Sequence, residues 1–328
     1  MKELDYSLVV SSRLRILRNI RGYKFPLFLE KTEGRELFNR LQNIINKYVK
    51  DSEIYRLWEY NLEYESYKEK NLINSSVKKN RDISGVIIGK NETFTAMINE
   101  NDHLRLQMVE NGYNIDEAYK NISELDDKIE EDIEYAFDSE LGFITSKLEN
   151  LGTGMRAAVM IHIPTIVSKD LIFNLSKELN RLGISIKGIY GNTANAYGNL
   201  YQIANYISLG MSEKEIIKNL KEAIKIVVRK ENNLRYELLN KSFKEIEDKV
   251  YRSYGILKYS RLLNQIEVLN LLSDIRLGVE LGFLDIEKSK LNKITVLSRS
   301  ALIRKELKRD LDFKELNYER ARVVRELL

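Results

Sequence analysis

The chain of 328 residues contains no cysteine and two histidines, His103 and His162. Without thiols it can form neither disulfides nor thiolate metal sites, and two imidazoles argue against a histidine-based centre, so we predict no metal site. No apolar run approaches the roughly 20 residues that a membrane helix needs. The first residues lack the apolar stretch of a signal peptide. These absences favour a cytoplasmic protein that is not bound to a membrane.

An excess of charge of one sign is also missing. The sequence has 53 basic and 49 acidic residues, which leaves a net charge of +4. So small a balance does not by itself call for a nucleic-acid partner, and we predict no direct contact with nucleic acid. The hydrophobic content of 43% can build a substantial core, and the length suits one large domain with a smaller one.

Proline is scarce, and both prolines, Pro26 and Pro164, precede residue 210. Beyond that point apolar residues recur at helical spacing, and Ser212 followed by Glu215 predicts a helix start with a capping box. The last ~100 residues therefore indicate a small helical bundle whose apolar stripes serve core and dimer packing. We place the two domains at residues 1–228 and 229–328.

The part of the chain before residue 210 mixes short β-rich runs with loops. Strands separated by long irregular segments and helices predict an α+β domain rather than a regular βαβ repeat. The strand candidates are residues 8–10, 85–88, 94–99, 156–163 and 184–189.

Arginines stand in several motif-like segments of this part. Residues 10–15 read Val-Ser-Ser-Arg-Leu-Arg, which puts Arg13 and Arg15 on one face if the segment is extended. Arg105 ends the segment Asn-Glu-Asn-Asp-His-Leu-Arg, and Arg156 follows Asn-Leu-Gly-Thr-Gly-Met, whose glycines let the backbone approach a ligand. Taken singly, each arginine is more often a surface ion pair. Together they are typical of a site that neutralises a transferring phosphoryl group.

These segments resemble, in the same order, those of the phosphagen (guanidino) kinases, and more closely their bacterial branch, the protein arginine kinases. The similarity continues through residues 135–146 and 198–205 into residues 252–257 and 276–278. It implies the guanidino kinase fold, an antiparallel sheet flanked by helices, followed by a small all-helical domain that dimerises. The implied cofactor is ATP with Mg²⁺, and the implied nucleotide contacts are Arg13, Arg15, His103, Arg105, Arg156 and Lys187.

The same resemblance identifies two positions where the family uses glutamate to aim a guanidinium group and help remove its proton. Here both are asparagine: Asn101, and Asn192 in the loop Tyr-Gly-Asn-Thr-Ala-Asn-Ala. An amide is uncharged and cannot act as a base near neutral pH. Glu100 or Asp102 could take over, although Glu100 would point to the opposite side from Asn101 in an extended segment.

Two further substitutions affect substrate positions. Lys147 stands where relatives carry a cysteine that contacts the guanidinium group, and a cation there repels such a substrate. A phosphoarginine-binding motif of the helical domain, Arg-Asp-x-x-Arg-Ala, is matched here by Leu316, Asn317 and Arg320. We therefore predict a degenerate pocket, with Arg320 reduced to a residue of the helix surface.

Two hypotheses about function follow from the resemblance. The first is an active, slow protein arginine kinase. The second is a pseudokinase, a dimeric scaffold that binds nucleotide and contacts the partners implied by the resemblance: a Clp-type unfoldase, a zinc-binding activator protein and a heat-shock repressor. The substitutions change positions that would bind or deprotonate the substrate, and they leave the phosphate-binding arginines unchanged. This selectivity favours the second hypothesis. A protein with no remaining ligand is the third alternative.

Overall fold

The computed structural model describes residues 5–59, 64–70, 72–73 and 80–328. Its first part is built on an antiparallel sheet of eight strands, which confirms the predicted α+β class. The strands are β1 (Val9–Arg18), β2 (Ser52–Arg56), β3 (Gly85–Gly89), β4 (Phe94–Ile98), β5 (Leu104–Asn111), β8 (Met155–His162), β9 (Ile184–Gly188) and β10 (Leu200–Asn205), with β6 (Phe137–Asp138) and β7 (Gly142–Phe143) forming a separate pair. The order in the large sheet is β2-β3-β4-β5-β1-β8-β10-β9.

The helices are α1 (Lys31–Tyr48), α2 (Tyr64–Glu69), α3 (Ile115–Asp132), α4 (Pro164–Ser168), α5 (Ile172–Asn180), α6 (Glu213–Tyr259), α7 (Gln265–Glu280), α8 (Lys288–Leu297), α9 (Ser300–Leu307) and α10 (Phe313–Leu327). All five strand candidates overlap an observed strand. Within the described ranges, no helix is both long and apolar enough to cross a membrane.

The two faces of strand β1 have different surroundings. Leu14 and Ile16 are fully buried in the core that includes residues of α1 and α3. Arg13 and Arg15 alternate with them and lie on the opposite, less buried face. The prediction that the two arginines share one face is confirmed, and this face carries the candidate site.

Helix α6 joins the sheet-containing part to the helical part. Ser212 accepts a hydrogen bond from the Glu215 amide while the Glu215 carboxylate accepts one from the Ser212 amide, so the predicted capping box is confirmed. The helix continues for 47 residues, with non-helical angles at Ser242. Its first half packs into the sheet core through residues such as Leu220, and its second half packs into the helical core through Leu257. The helix crosses the expected boundary between residues 228 and 229 without interruption.

A buried network of charges ties the two parts together. Glu231 of α6 accepts hydrogen bonds from two backbone amides at the start of α4, at 3.0 and 2.8 Å. Arg235 donates to Glu231 at 2.8 Å and to Glu280 of α7 at 2.6 Å, and His162 of β8 lies 3.7 Å from Glu280. Burial alone would raise the pKa of Glu280, but His162 and Arg235 outweigh it and lower that pKa to about 2. The network is therefore a set of charged partners that depend on one another.

Candidate active site

A cavity of about 290 Å³ opens on the less buried face of the sheet. The register of the strands explains why basic side chains meet there: Arg15 pairs with Arg156 across β1 and β8, and Arg105 pairs with Leu17 across β5 and β1. The basic residues in the lining are Arg15, Arg105, Lys147, Arg156 and Lys187, and the acidic ones are Glu100, Asp102 and Glu149. Strands β1, β5, β8 and β9 thus each place a basic side chain in this cavity.

The arginines of this face are crowded and incompletely paired. Burial, followed by the charges of Arg105, Arg13 and Arg156, lowers the pKa of Arg15. Within the part of the chain that the structure describes, the buried Nε atoms of Arg13 and Arg105 have no hydrogen-bond partner. Buried donors without partners and adjacent like charges are both costly, and an anion bound among them would relieve both costs. The site therefore fits the phosphate groups of ATP.

The acidic residue next to Asn101 also faces this cavity. Glu100 accepts hydrogen bonds from Asn101 Nδ2 at 2.8 Å and from Arg105 Nη1 at 3.1 Å, and both Glu100 and Asn101 line the cavity. The expectation that Glu100 points away from Asn101 is wrong. The chain bends after β4, where Asn99 has a φ of 54°, so the alternation of an extended strand does not apply.

Asp102 holds the segment that contains Glu100 and Asn101 in place through hydrogen bonds. Its Oδ1 accepts hydrogen bonds from Asn19 Nδ2 at 2.7 Å and from the Ser146 amide at 2.6 Å. The second bond ties the segment to the stretch that leads to Lys147. Asp102 therefore lines the cavity while it fixes the relative positions of two cavity walls.

His103 is fully buried and lies outside the cavity lining. Its Nδ1 accepts a hydrogen bond from the Ile20 amide at 3.0 Å, so Nε2 carries the proton and donates to the Lys24 carbonyl at 2.8 Å. Both ring nitrogens are engaged with the backbone. The geometry does not support the expected nucleotide contact and gives His103 a structural role instead.

The burial of His103 predicts a dependence of stability on pH. Burial lowers the pKa of His103 to about 4, against the opposing hydrogen bond to Lys24, whereas an unfolded histidine has a pKa of about 6.5. The stabilisation is therefore complete above the unfolded pKa and is lost as the pH falls toward the folded pKa. When the pH is lowered from 7 to 4.5, the free energy of unfolding should fall in both proteins. We expect the fall to be about 2–3 kcal/mol smaller in His103→Gln than in the unmodified protein.

Urea unfolding at the two pH values measures this difference. His162, which is also buried with a lowered pKa, is present in both proteins and so contributes equally to both. An identical loss of stability in the variant and the unmodified protein would show that His103 does not titrate in this range.

The second asparagine of interest lies in the loop that follows β9. Asn192 is exposed, and its Oδ1 accepts a hydrogen bond from the Asn195 amide at 2.8 Å. Asn192 is absent from the cavity lining, whereas Asn101 is part of it. The structure thus brings Asn101 together with the arginines and leaves the Asn192 side chain engaged within its own loop.

A second cavity, of about 740 Å³, lies between this loop and the helices α7 and α10. Tyr190 and Tyr197 line it on the side of the loop, and Leu316, Asn317 and Arg320 line it on the side of α10. The three residues expected in a degenerate phosphoarginine pocket therefore share one cavity.

Arg320 is buried, with 3% of its surface exposed, so its predicted place on the helix surface is wrong. The guanidinium group donates to the carbonyls of Ser298 and Leu263 at 2.8 and 2.9 Å. It also donates to Asn317 Oδ1 at 2.6 Å and to Ser300 Oγ at 2.9 Å. Most of its donors are thereby used within the protein, and Arg320 acts as a cross-link between helices.

Residues that the sequence analysis did not anticipate also line the first cavity. Gln202 of β10 lies opposite Lys187 in the register of β9 and β10, and Glu149 precedes the glycine-flanked segment. Gln202 is a polar residue between the apolar Tyr201 and Ile203, and this is the signal that could have identified it. Within the described residues, no group of three or more histidine, aspartate or glutamate side chains could hold a metal ion.

Comparison with known sequences identifies the family of the chain. Residues 35–234 match the sequence profile described as "ATP:guanido phosphotransferase, C-terminal catalytic domain". The chain belongs to this family. Residues 243–328 match "Protein-arginine kinase McsB C-terminal domain", so the non-helical Ser242 of α6 falls between the two matched ranges.

Named relatives place the chain in one branch of this family. The "Protein-arginine kinase" of Clostridium botulinum (strain Eklund 17B / Type B) is 44% identical over 323 residues, which cover 98% of this chain and 95% of the relative. That of Clostridium acetobutylicum is 41% identical over 329 residues, which cover 99% and 97%. The predicted resemblance to the protein arginine kinases is confirmed.

A solved structure supports the fold. Lombricine kinase aligns over 74% of this chain and 70% of its own chain, with a TM-score of 0.63 and 24% sequence identity. At this identity the likeness shows the fold alone. The predicted guanidino kinase fold is confirmed.

Proposed function

We propose that this protein binds ATP with Mg²⁺ in the sheet cavity and transfers the phosphoryl group to guanidinium groups poorly or not at all, as a pseudokinase among the protein arginine kinases. One observation carries the proposal. The cavity combines five basic side chains with a neutral amide, Asn101, at a position where the family uses a base. Nucleotide binding needs the first feature, and transfer to arginine needs the charge that the second lacks.

The nucleotide side of the cavity supports binding. Arg105 lines the cavity, and its Nε, like that of Arg13 on the same face of the sheet, can donate a hydrogen bond to a phosphate oxygen without breaking a hydrogen bond of the described residues. Mg²⁺ commonly uses one or two protein carboxylates and takes its other ligands from phosphates and water. Glu100 lines the same cavity and suits a metal ion that enters with the nucleotide.

The substrate side of the cavity supports impairment. Lys147 lies in the lining, where its positive charge opposes a guanidinium substrate. Asn101 is neutral, and the Asn192 amide is engaged with Asn195 in an exposed loop. The side chains that would attract and deprotonate a substrate arginine are therefore replaced or turned elsewhere.

The proposed role of such a protein is to contact partners. By resemblance these are a Clp-type unfoldase, a zinc-binding activator protein and a heat-shock repressor, and the protein itself forms a homodimer. Tyr259, Leu262 and Phe313 of the helical part are large apolar side chains that are mostly exposed. An exposed apolar surface of this kind suits an interface with another protein chain.

A second candidate function is supported by the position of Glu100. Its carboxylate lies beside Asn101 in the cavity, so it could receive a proton from a substrate arginine in place of the missing glutamate. The protein would then be a slow protein arginine kinase. Phosphoarginine formation that disappears in Glu100→Gln would favour this alternative.

We expect Arg156→Ala to weaken the binding of Mg-ATP by about tenfold or more, because it removes a charge-assisted contact to phosphate. Isothermal titration calorimetry measures the change. Arg40→Ala, on the exposed face of α1, is the matched control and should leave the affinity unchanged. Equal affinities of Arg156→Ala and the unmodified protein would refute the proposed phosphate site.

A further inference from the structure

Arg18, the last residue of β1, is a buried arginine that the proposed function does not use. It is 1% exposed and continues the core face of the strand with Leu14 and Ile16, so it lies behind the sheet rather than in the cavity. Its Nε donates to Asp126 Oδ2 of α3 at 3.0 Å, and its Nη2 donates to the same oxygen. Its Cζ lies 3.5 Å from the centre of the Phe143 ring. These contacts satisfy the charge of Arg18 within the protein.

The remaining nitrogen of Arg18 reaches the glycine-flanked segment, residues 150–155. Nη1 donates to the Thr153 carbonyl at 2.8 Å and to the Leu17 carbonyl at 3.0 Å. The Leu17 amide in turn donates to the Gly154 carbonyl at 3.0 Å. A Cβ atom on Gly154 would lie 2.6 Å from the Leu17 carbonyl oxygen and 2.9 Å from Arg18 Nη1. The end of β1 therefore packs directly against the backbone of this segment.

The other side of the segment packs against the stretch that follows β10. Ser208 Oγ donates to the Leu151 carbonyl at 2.8 Å. A Cβ atom on Gly152 would lie 2.5 Å from the Ser208 carbonyl oxygen, so this approach also needs glycine. The segment is thus held between two pieces of backbone, and Arg18 ties it to α3 from the side of the sheet.

The segment held in this way connects two parts of the cavity wall. Asn150 precedes Thr153, Arg156 follows it, and both line the cavity, as Leu17 does. Arg156 lies opposite Arg15 in the register of β8 and β1. A binding group must stay within about 0.5 Å of its productive position, which requires support from the residues behind it. A shift of the Thr153 backbone would therefore displace Arg156 from the phosphate site.

We propose that Arg18 is a positioning residue of the nucleotide site, which ties the glycine-flanked segment to α3 and thereby sets the place where Arg156 meets phosphate. The inference rests on the ATP binding proposed above. Because Asp126 satisfies the charge of Arg18 on the core side of the sheet, Arg18 acts on the nucleotide through the Thr153 carbonyl and not by contact.

The test is calorimetric titration of the full-length protein and of Arg18→Lys with Mg-ATP. Lysine keeps a positive charge beside Asp126, but a single ammonium group cannot replace the guanidinium fork that binds Asp126 and the Thr153 carbonyl together. We expect the affinity for Mg-ATP to fall by about tenfold. Arg235→Lys, at a buried arginine remote from the cavity, is the matched control, and it should lower stability while it leaves the affinity within about twofold.

A double-mutant cycle with Arg156→Ala separates a positioning residue from a purely structural one. If Arg18 acts through Arg156, Arg18→Lys should weaken binding by less than about twofold in the Arg156→Ala background. A purely structural arginine would lower the free energy of unfolding and leave the affinity of the folded protein unchanged. Unchanged affinity in Arg18→Lys, or the same loss in both backgrounds, would overturn the inference.

The remaining outcomes distinguish this inference from the proposed function. If Arg156→Ala weakens ATP binding and Arg18→Lys binds normally, the role of Arg18 is refuted and ATP binding in the cavity stands. If the unmodified protein does not bind Mg-ATP, both are refuted. If Arg18→Lys does not fold, Asp126→Asn decides, because it loosens Arg18 from α3 without changing the cavity lining. We expect it to weaken binding by about threefold or more, and normal affinity would refute the role of Arg18.

Discussion

The double variant Asn101→Glu/Asn192→Glu should form phosphoarginine on an arginine-rich acceptor protein about 10² to 10⁴-fold faster than the unmodified protein. Each change restores a charge-assisted contact to the guanidinium group, worth about 1.5 to 3 kcal/mol, and either carboxylate could accept the substrate proton. The measurement is incubation with Mg-ATP followed by mass spectrometry for the acid-labile phosphoarginine.

Asn101→Glu and Asn192→Glu should contribute unequally to this increase in rate. Asn101 already lines the cavity beside Arg105 and Glu100, so Asn101→Glu alone should give part of the gain. The Asn192 side chain is engaged within its own loop, so Asn192→Glu acts only when that loop turns toward the cavity. Asn180→Glu, at the exposed end of α5, is the control for added negative charge.

Three results of this assay have distinct meanings. If the double variant forms phosphoarginine and the unmodified protein forms none, the two asparagines are the cause of the impairment. A signal from the unmodified protein that Glu100→Gln abolishes would establish a slow kinase instead. If neither protein forms phosphoarginine while both still bind ATP, the prediction that these two positions limit the reaction is contradicted.

The second large effect concerns the buried charges between the two parts of the chain. We expect Glu280→Gln to lower the free energy of unfolding by about 3 to 5 kcal/mol, because it leaves Arg235 buried with an incomplete set of partners. Chemical denaturation at neutral pH measures the loss. Glu245→Gln, on the exposed side of α6, should change stability by less than about 0.5 kcal/mol.

A double-mutant cycle with Arg235→Met tests whether the loss comes from this pair. If Glu280 stabilises the protein through Arg235, the second change should cost much less in the Glu280→Gln background than alone. A loss below about 1 kcal/mol in Glu280→Gln, or strict additivity in the cycle, would contradict the dependence of these charges on one another.

Much of the candidate site could be predicted because its signals are local in sequence. The pairing of Arg13 and Arg15 on one face follows from the alternation of a strand. The start of α6 follows from a capping box that spans four residues, Ser212 to Glu215. Both depend on neighbours in the chain, which a sequence pattern records directly.

The position of Glu100 could not be predicted in this way because a distant contact bends the chain. Asn99 is buried, and its Nδ2 donates to the carbonyls of Gly34 and Ile83 at 2.8 and 3.0 Å. These bonds hold Asn99 at a positive φ and end the strand. The sequence pattern around Asn101 predicts an extended segment, and an extended segment would put Glu100 on the side opposite to Asn101. The bend at Asn99 puts both side chains in the cavity instead.

The arginines of the helical part were misjudged for a related reason. A charged residue on an amphipathic helix is ordinarily solvated, yet Arg320 is buried because the Leu263 and Ser298 carbonyls, far from it in sequence, accept its hydrogen bonds. Arg299 belongs to no motif that the sequence analysis identified. Its burial and its contact with Tyr190 arise from tertiary packing, so only the folded structure shows them.

The continuity of α6 limits how this protein can be divided or recombined. A fragment that ended at residue 228 would lack Glu231 and Arg235, and two amides at the start of α4 would lose their carboxylate acceptor. An exchange of helical parts between relatives would have to transfer the stretch from Glu231 to Glu280 as one piece. The chain matches two family descriptions, but a recombination point between the two matched ranges would have to preserve these contacts.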